Sequence, residues 1–453
     1  MRCRKIFSRV LPTLAFLSLL LPGPSLGAAE LRPNILVISV DTLRADRMGS
    51  YGYSRRTSPH IDGLLAKGVR FAEARTVEPL TAPALASMLT SLTPHEHGST
   101  RNGLRVRPEL PSLPKVLRRH GYQTGAFVGS WTLREKLWAM SGHFDHFEEV
   151  LTKARWLGMV KREATAEDLN EVALEWLSGQ VEGGSSRPVF LWVHYVEPHA
   201  PYVLQRDFMD QIGNAPDHNN YSDSNKYDSE IAYVDFQIAK LLEAVEALVP
   251  NGNTMVLFVS DHGESLGEHG YWGHGRHLYE PTLHIPMGIT WPGHVEPRVV
   301  AAPALIIDLA PTVVGLLGIE VPDFFQGMDW SKVFAGAAEE PTDRVTFYQA
   351  HRGSVGAKED QTKVREKGLL EVAQLENGKK EILRVTNGRR RVFDLASDPG
   401  ELESLVLEQS EISEGLQSWL ERVKAGLVLA DELPPPSISD EDMDALRALG
   451  YLE

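Results

Sequence analysis

Apolar positions along the chain fall into two alternating textures. Residues 34–40 (NILVISV), 188–194 and 254–260 (TMVLFVS) are short continuous apolar runs rich in β-branched residues, the pattern of strands buried on both faces. Between them the apolar period lengthens to that of a helix. Ser58 followed by Pro59 opens one helical stretch, which Gly68 closes. Thr165 with Asp168 makes a capping-box pattern ahead of Leu169, Val172, Trp176 and Leu177, and Ile231, Val234, Ile238, Leu241, Val245 and Leu248 share one helical face. Residues 80–91 (LTAPALASMLTS) predict a further helix with Pro83 in its first turn and Leu85, Met88, Leu89 and Leu92 facing inward. Strands alternating with helices predict an α/β fold, a mostly parallel sheet with helices on both faces.

The texture changes after about residue 340. Residues 369–375, 381–385 and 391–395, separated by Asn377-Gly378 and Asn387-Gly388, predict a small antiparallel sheet built from hairpins. A helical pattern follows from about 410 to 427, and Pro434, Pro435 and Pro436 form a stiff spacer before a short amphipathic end over 440–449. The expected organisation is a large α/β domain over 29–340, a smaller domain over 341–430 and a Pro-spaced tail with a short helix over 431–453.

Residues 1–28 read as an address. Arg2, Arg4, Lys5 and Arg9 precede an apolar run over 10–21, and small residues follow at Ser25 and Gly27, the pattern of a secretory signal peptide. Export to the periplasm or the extracellular space is the expectation. The run falls short of the roughly 20 apolar residues of a membrane span, so no stable span is expected. The single cysteine, Cys3, lies in this segment, which excludes cysteine catalysis and thiolate metal sites downstream. With 46 Lys and Arg against 61 Asp and Glu, the net charge of −15 argues against a nucleic-acid partner.

The candidate chemistry sits where strands end. Asp41 follows the first strand, His194 and His199 lie at or just past the second, and Asp261-His262 follow the third. Carboxyl ends of parallel strands face one crevice, so these side chains can converge on one ligand. Two carboxylates and an imidazole suit one divalent cation, whether magnesium, calcium, manganese or zinc. Thr81 carries two open readings: an N-cap for its helix, or a cation-activated nucleophile at the helix N-terminus.

The segments RPNILVISVDTLRADRMGSYGY, TSPHIDGLLAKGVRF, TAPALASMLTSLTPHEHG, FLWVHYVEPHAPY and VSDHGESLGEHGYWGHGRHLYE occur in the order and spacing of the sulfatase family of the alkaline phosphatase superfamily, which the chain resembles from about Arg32 to its end. VFDLASDPGELESL and DALRALGYLE are similar to C-terminal segments of that family. The resemblance implies an alkaline phosphatase-like fold with a small C-terminal antiparallel subdomain. It implies Asp41, Asp261 and His262 as metal ligands, Thr81 as the nucleophile that also touches the metal, His199 as the acid at the leaving group and His274 as a contact to the transferred group. His194 and Arg101 are candidate substrate contacts.

Departures from the family pattern sharpen the expectation. Strict sulfatases carry Cys-x-Pro-x-Arg or Ser-x-Pro-x-Arg, whose first residue becomes formylglycine, whereas this chain has Thr81, Ala82, Pro83, Ala84 and Leu85. Threonine cannot become that aldehyde, so formylglycine is not expected, and a Thr81 ester must be released by an outside acceptor. Thr42 replaces the second aspartate of the usual pair, and Gly129, Ser130, Trp131 and Thr132 stand where Gly-Lys-Trp-His is usual. The expected activity is metal-dependent hydrolysis of sulfuric or phosphoric esters, with a small-molecule, glycan or lipid ester as substrate. The alternatives are a phosphotransferase that passes a head group to a lipid or sugar, and an inactive anion-binding relative.

Overall fold

The computed structural model describes residues 32–153, 161–184, 186–213, 222–249, 253–355, 368–405 and 412–430, with isolated positions 439, 444 and 447. The signal segment, Cys3, the Pro434–Pro436 spacer and nearly all of the predicted terminal helix lie outside these residues. No described helix is long and apolar enough to cross a membrane.

The principal elements, in chain order, are β1 (Asn34–Val40), α1 (Pro59–Leu65), β2 (Val69–Phe71), α2 (Thr81–Thr90), β3 (Gln123–Val128), β4 (His146–Glu149), α3 (Ala166–Glu182), β5 (Val189–Tyr195), α4 (Asp223–Leu248), β6 (Thr254–Ser260), β7 (Met287–Thr290), β8 (Arg298–Val300) and α5 (Leu309–Leu316). They are followed by β9 (Thr346–His351), β10 (Leu369–Glu376), β11 (Lys379–Arg384), β12 (Arg389–Asp394) and α6 (Glu414–Ala430). The eight-stranded sheet has the order β8-β2-β7-β6-β1-β5-β3-β4, and β7 pairs antiparallel with both its neighbours while the other pairs are parallel.

Alternation along β1 divides the core. Ile35 and Val37 face α2 and α5 together with Trp192, Leu85 and Val313. Leu36, Ile38 and Val40 face α3 and α4 together with Leu169, Ile231 and Val234. Both faces of the strand are covered, which is why it reads as an apolar run on both faces, interrupted by Ser39. The capping box at Thr165 and Asp168 forms at the start of α3.

Helix α2 departs from the amphipathic expectation. All ten of its residues are buried, because Ala82, Ala84, Ala86 and Ser87 leave room for neighbours on the sides away from Leu85 and Leu89. Leu92 lies beyond its end.

The small sheet has the order β9-β10-β11-β12, antiparallel throughout. Asn377 (φ 50) and Gly378 (φ 76) form the two-residue turn between β10 and β11. One face of this sheet, through Tyr348, Ala373, Ile382 and Phe393, belongs to the same apolar cluster as α2, and the other packs Val372 and Leu383 against Trp419 and Val423 of α6.

Candidate active site

Strand register brings the acids together. β1 and β6 are parallel neighbours with Val40 opposite Ser260, so Asp41 and Asp261, each the next residue, leave the sheet side by side. With His262 they offer three ligand atoms, all within 4.8 Å of one another and all fully buried. Two backbone features hold the arrangement. Thr42 takes a left-handed conformation (φ 56), uncommon for a β-branched residue, and its N–H donates to Asp261 Oδ1 at 3.1 Å. Gly263 passes so close to Pro281 that a Cβ would lie 2.1 Å from its carbonyl oxygen.

The hydrogen bonds fix the tautomer of His262. Its Nδ1 lies 2.9 Å from the Gly263 carbonyl, which can only accept, so Nδ1 carries the proton and Nε2 presents a lone pair. That lone pair faces Asp261 Oδ2 at 3.5 Å, Asp41 Oδ1 at 3.7 Å and Thr81 Oγ1 at 3.3 Å. Asp41 Oδ2 and Asp261 Oδ2 are buried without a hydrogen-bond partner. Burial, and then the neighbouring Asp261, hold the Asp41 carboxyl well above its ordinary range; burial raises Asp261 to about 6 and lowers His262 to about 3. A buried set of lone pairs with two unpartnered carboxylate oxygens fits a divalent cation.

Thr81 is not the N-cap of α2. Leu80 holds that position in extended conformation, Thr81 is the first helical residue, and the N–H of Ala82 is satisfied by Asn102 Oδ1 at 3.0 Å. The Thr81 hydroxyl is thus turned from its own helix towards His262 and towards Asp41 Oδ1, which is 3.5 Å away.

His199 and His274 stand beside this centre. The His274 ring lies 4.4 Å from that of His262 and 5.2 Å from that of His199, centre to centre. His199 directs Nδ1 to the Ala200 carbonyl at 2.6 Å, and burial lowers its pKa to about 3. His194 is fully buried behind Asp41: Nδ1 bonds Ser39 Oγ at 2.9 Å and Nε2 faces Asp41 Oδ2 at 3.8 Å. Arg101 turns elsewhere. Its guanidinium donates to the carbonyls of Arg352, Gly353 and Ser354, tying the loop after α2 to the end of β9. His95 and His97 brace the turn after α2, bonded to Gln349 Oε1 and Ser87 Oγ.

Three contributors had no distinguishing mark in the sequence. Ser39 is one polar residue inside a strand, Asn102 lies in a loop beyond the helix that it caps, and Glu264 sits in the loop after His262. Glu264 is fully buried and accepts from His274 Nδ1 at 3.1 Å. The Gly263 kink and the return of the chain through a hairpin bring His274 to Glu264.

Comparison with known proteins agrees with this architecture. Residues 33–319 match the family model Sulfatase, and residues 267–426 match N-sulphoglucosamine sulphohydrolase, C-terminal. The chain is 26% identical over 439 residues to a choline-sulfatase of Rhizobium meliloti, covering 83% of this chain and 82% of that one. A putative sulfatase from Bacteroides fragilis shares the fold at a TM-score of 0.68 and 22% identity, covering 91% of this chain and all of that one. A phosphonate monoester hydrolase from Silicibacter pomeroyi shares it at 0.64 and 17%, covering 88% and 95%. With the family model spanning most of the chain, the protein belongs to the sulfatase family, the sulfuric-ester hydrolases of the alkaline phosphatase superfamily.

Proposed function

We propose that the protein is an exported, metal-dependent hydrolase of sulfuric or phosphoric esters that uses Thr81 as its nucleophile. The observation that carries this reading is the Thr81 hydroxyl, turned from its own helix to lie 3.3 Å from the unprotonated Nε2 of His262 and 3.5 Å from Asp41 Oδ1. Asp41, Asp261 and His262 would hold one divalent cation. When bound, the cation supplies positive charge that eases loss of the Thr81 proton and draws electron density from the ester. Export is supported by the basic, apolar and small-residue pattern of the first 28 residues.

The residues divide the reaction as follows. Thr81 Oγ passes its proton to Asp41 Oδ1, 3.5 Å away, as it attacks sulfur or phosphorus, and the bond to the ester oxygen breaks in line with it. His199 gives that oxygen its proton; burial keeps the imidazole neutral in the free enzyme, and an anionic ester bound beside it raises its pKa, so that it takes from solvent the proton that it passes on. Water then cleaves the Thr81 ester: His199 takes the proton of the water, and the released Thr81 oxygen recovers its own from Asp41. Threonine lacks the hydrated aldehyde that would let sulfate leave by collapse to a carbonyl, and this favours phosphoryl or phosphonyl over sulfuryl transfer.

The test is metal analysis combined with turnover of an aryl sulfate, a phosphate monoester, a phosphodiester and a phosphonate monoester. Thr81→Ala should bind metal and fold but lose at least ~10³-fold in kcat. Thr81→Ser should keep most of it. Full activity in the alanine variant, or no turnover of any of the four by the metal-loaded parent, would reject the reading.

A further inference from the structure

Glu264 lies outside the metal cluster, yet its carboxylate is fully buried beside the side chains that serve the reaction. Oε1 lies 3.1 Å from His274 Nδ1, and Tyr202, from the segment after His199, faces the same carboxylate. The position of Glu264 is fixed independently of these partners. Its carbonyl accepts from Arg44 Nη1 at 3.0 Å, and Arg44 is itself held by Asp46 and Glu268, each at 2.7 Å. On one side, Gly263 allows a close pass that a Cβ would forbid. On the other, Ser265–Leu266 pairs with Trp272–Gly273, and this hairpin returns the chain so that His274 meets Glu264. Gly275, at φ +87, leaves no room for a Cβ, which would lie 2.5 Å from Leu80 Cδ2, directly before Thr81.

We propose that Glu264 is a positioning residue for the reaction, accepting the Nδ1 proton of His274 and thereby presenting the Nε2 of that imidazole to the group transferred to Thr81. This rests on the hydrolase reading above and deepens it. A carboxylate only accepts hydrogen bonds, so the contact selects the Nδ1–H tautomer and sets the ring plane. The other candidate role for a buried acid here, bracing the loop, is already filled by the backbone bonds of Glu264 and by the Arg44 ion pairs.

The experiment uses the metal-loaded full chain with ¹⁵N-labelled histidine, alongside kinetics on whichever ester of the four is turned over. The His274 signal, assigned with His274→Gln, should show the Nδ1–H tautomer in the parent and a shift towards Nε2–H in Glu264→Ala. An Nε2–H tautomer in the parent overturns the proposal without reference to any variant's folding. In kinetics, Glu264→Ala should lower kcat by about 10- to 100-fold with a smaller change in KM, and Glu264→Gln, which keeps the acceptor oxygen, should recover part of it. Adding Glu264→Ala to His274→Ala should cost nothing further, whereas multiplicative losses overturn the coupling. Failure of the hydrolase reading looks different: the parent would be inactive, or Thr81→Ala fully active, whatever the tautomer.

Discussion

Nε2 of His194 faces Oδ2 of Asp41 at 3.8 Å in a fully buried setting, and neither atom has a hydrogen-bond partner. The other side of the imidazole is occupied. Trp192 Nε1 donates to Ser39 Oγ at 2.8 Å, and Ser39 in turn meets His194 Nδ1 at 2.9 Å. This chain of contacts directs the serine proton to Nδ1 and leaves Nε2–H aimed at the carboxylate. His194 thus stands behind Asp41, one of the three proposed cation ligands. Replacing it by Ala should lower metal affinity by about 10- to 100-fold in calorimetric titration while the fold persists. Affinity within twofold of the parent would detach His194 from the site.

Asp41 and Asp261 are held together at a cost when no cation is present, since burial and mutual repulsion both raise the Asp41 carboxyl. Asp261→Asn should therefore have opposite effects under two conditions. In chelator it should melt above the parent, because a repulsive charge is gone while Thr42 N–H can still donate to the amide oxygen. With metal it should melt below the parent, because affinity drops at least about 100-fold and with it the stabilisation by binding. Differential scanning calorimetry in both buffers checks the reversal, and a variant less stable in both would remove the repulsion argument.

Much of this site was legible because it lies at the ends of strongly patterned elements. Residues 34–40 and 254–260 could be read as strands from their apolar runs, so Asp41 and Asp261 were placed at strand ends with no further information. The small residues of α2 hid its complete burial, since alanine and serine carry little apolar signal at any position. Strand β7, only four residues long and reversed in the sheet, has no period to detect, and it was missed. Arg101 shows the limit most clearly. A sequence reveals the charge but not that the carbonyls of Arg352, Gly353 and Ser354 stand within reach of it, and those come from more than 250 positions away.

The turn that carries His262 depends on a missing side chain. A Cβ on Gly263 would lie 2.1 Å from the Pro281 carbonyl oxygen and 3.2 Å from Arg44 Cγ, so one of these segments must move. Gly263→Ala should cost about 1–3 kcal/mol in stability, the range for overpacking a filled site. It should lower kcat disproportionately, because the Gly263 carbonyl also sets the His262 tautomer. Urea unfolding and steady-state kinetics together test this; a destabilised variant with unaltered kcat would separate the turn from the chemistry.

Glu197, two residues before His199, gives the fold a pH dependence of defined sign. Its side chain is enclosed, Oε1 accepts from Ala166 N–H at 3.2 Å, Oε2 has no partner, and burial raises the carboxyl from 4.5 to about 7. The folded protein therefore keeps a proton that the unfolded chain releases near pH 4.5. The stability associated with that proton is present in full below pH 4.5, declines as pH rises towards 7, and is lost above it. Glu197→Gln has no proton to lose and keeps an acceptor for Ala166. Relative to the parent, it should gain about 1–3 kcal/mol of unfolding free energy between pH 5 and pH 8. Denaturant titrations of both proteins across that range measure the difference directly. A gap that stays constant with pH would mean that Glu197 ionises in the folded state as it does in the unfolded one.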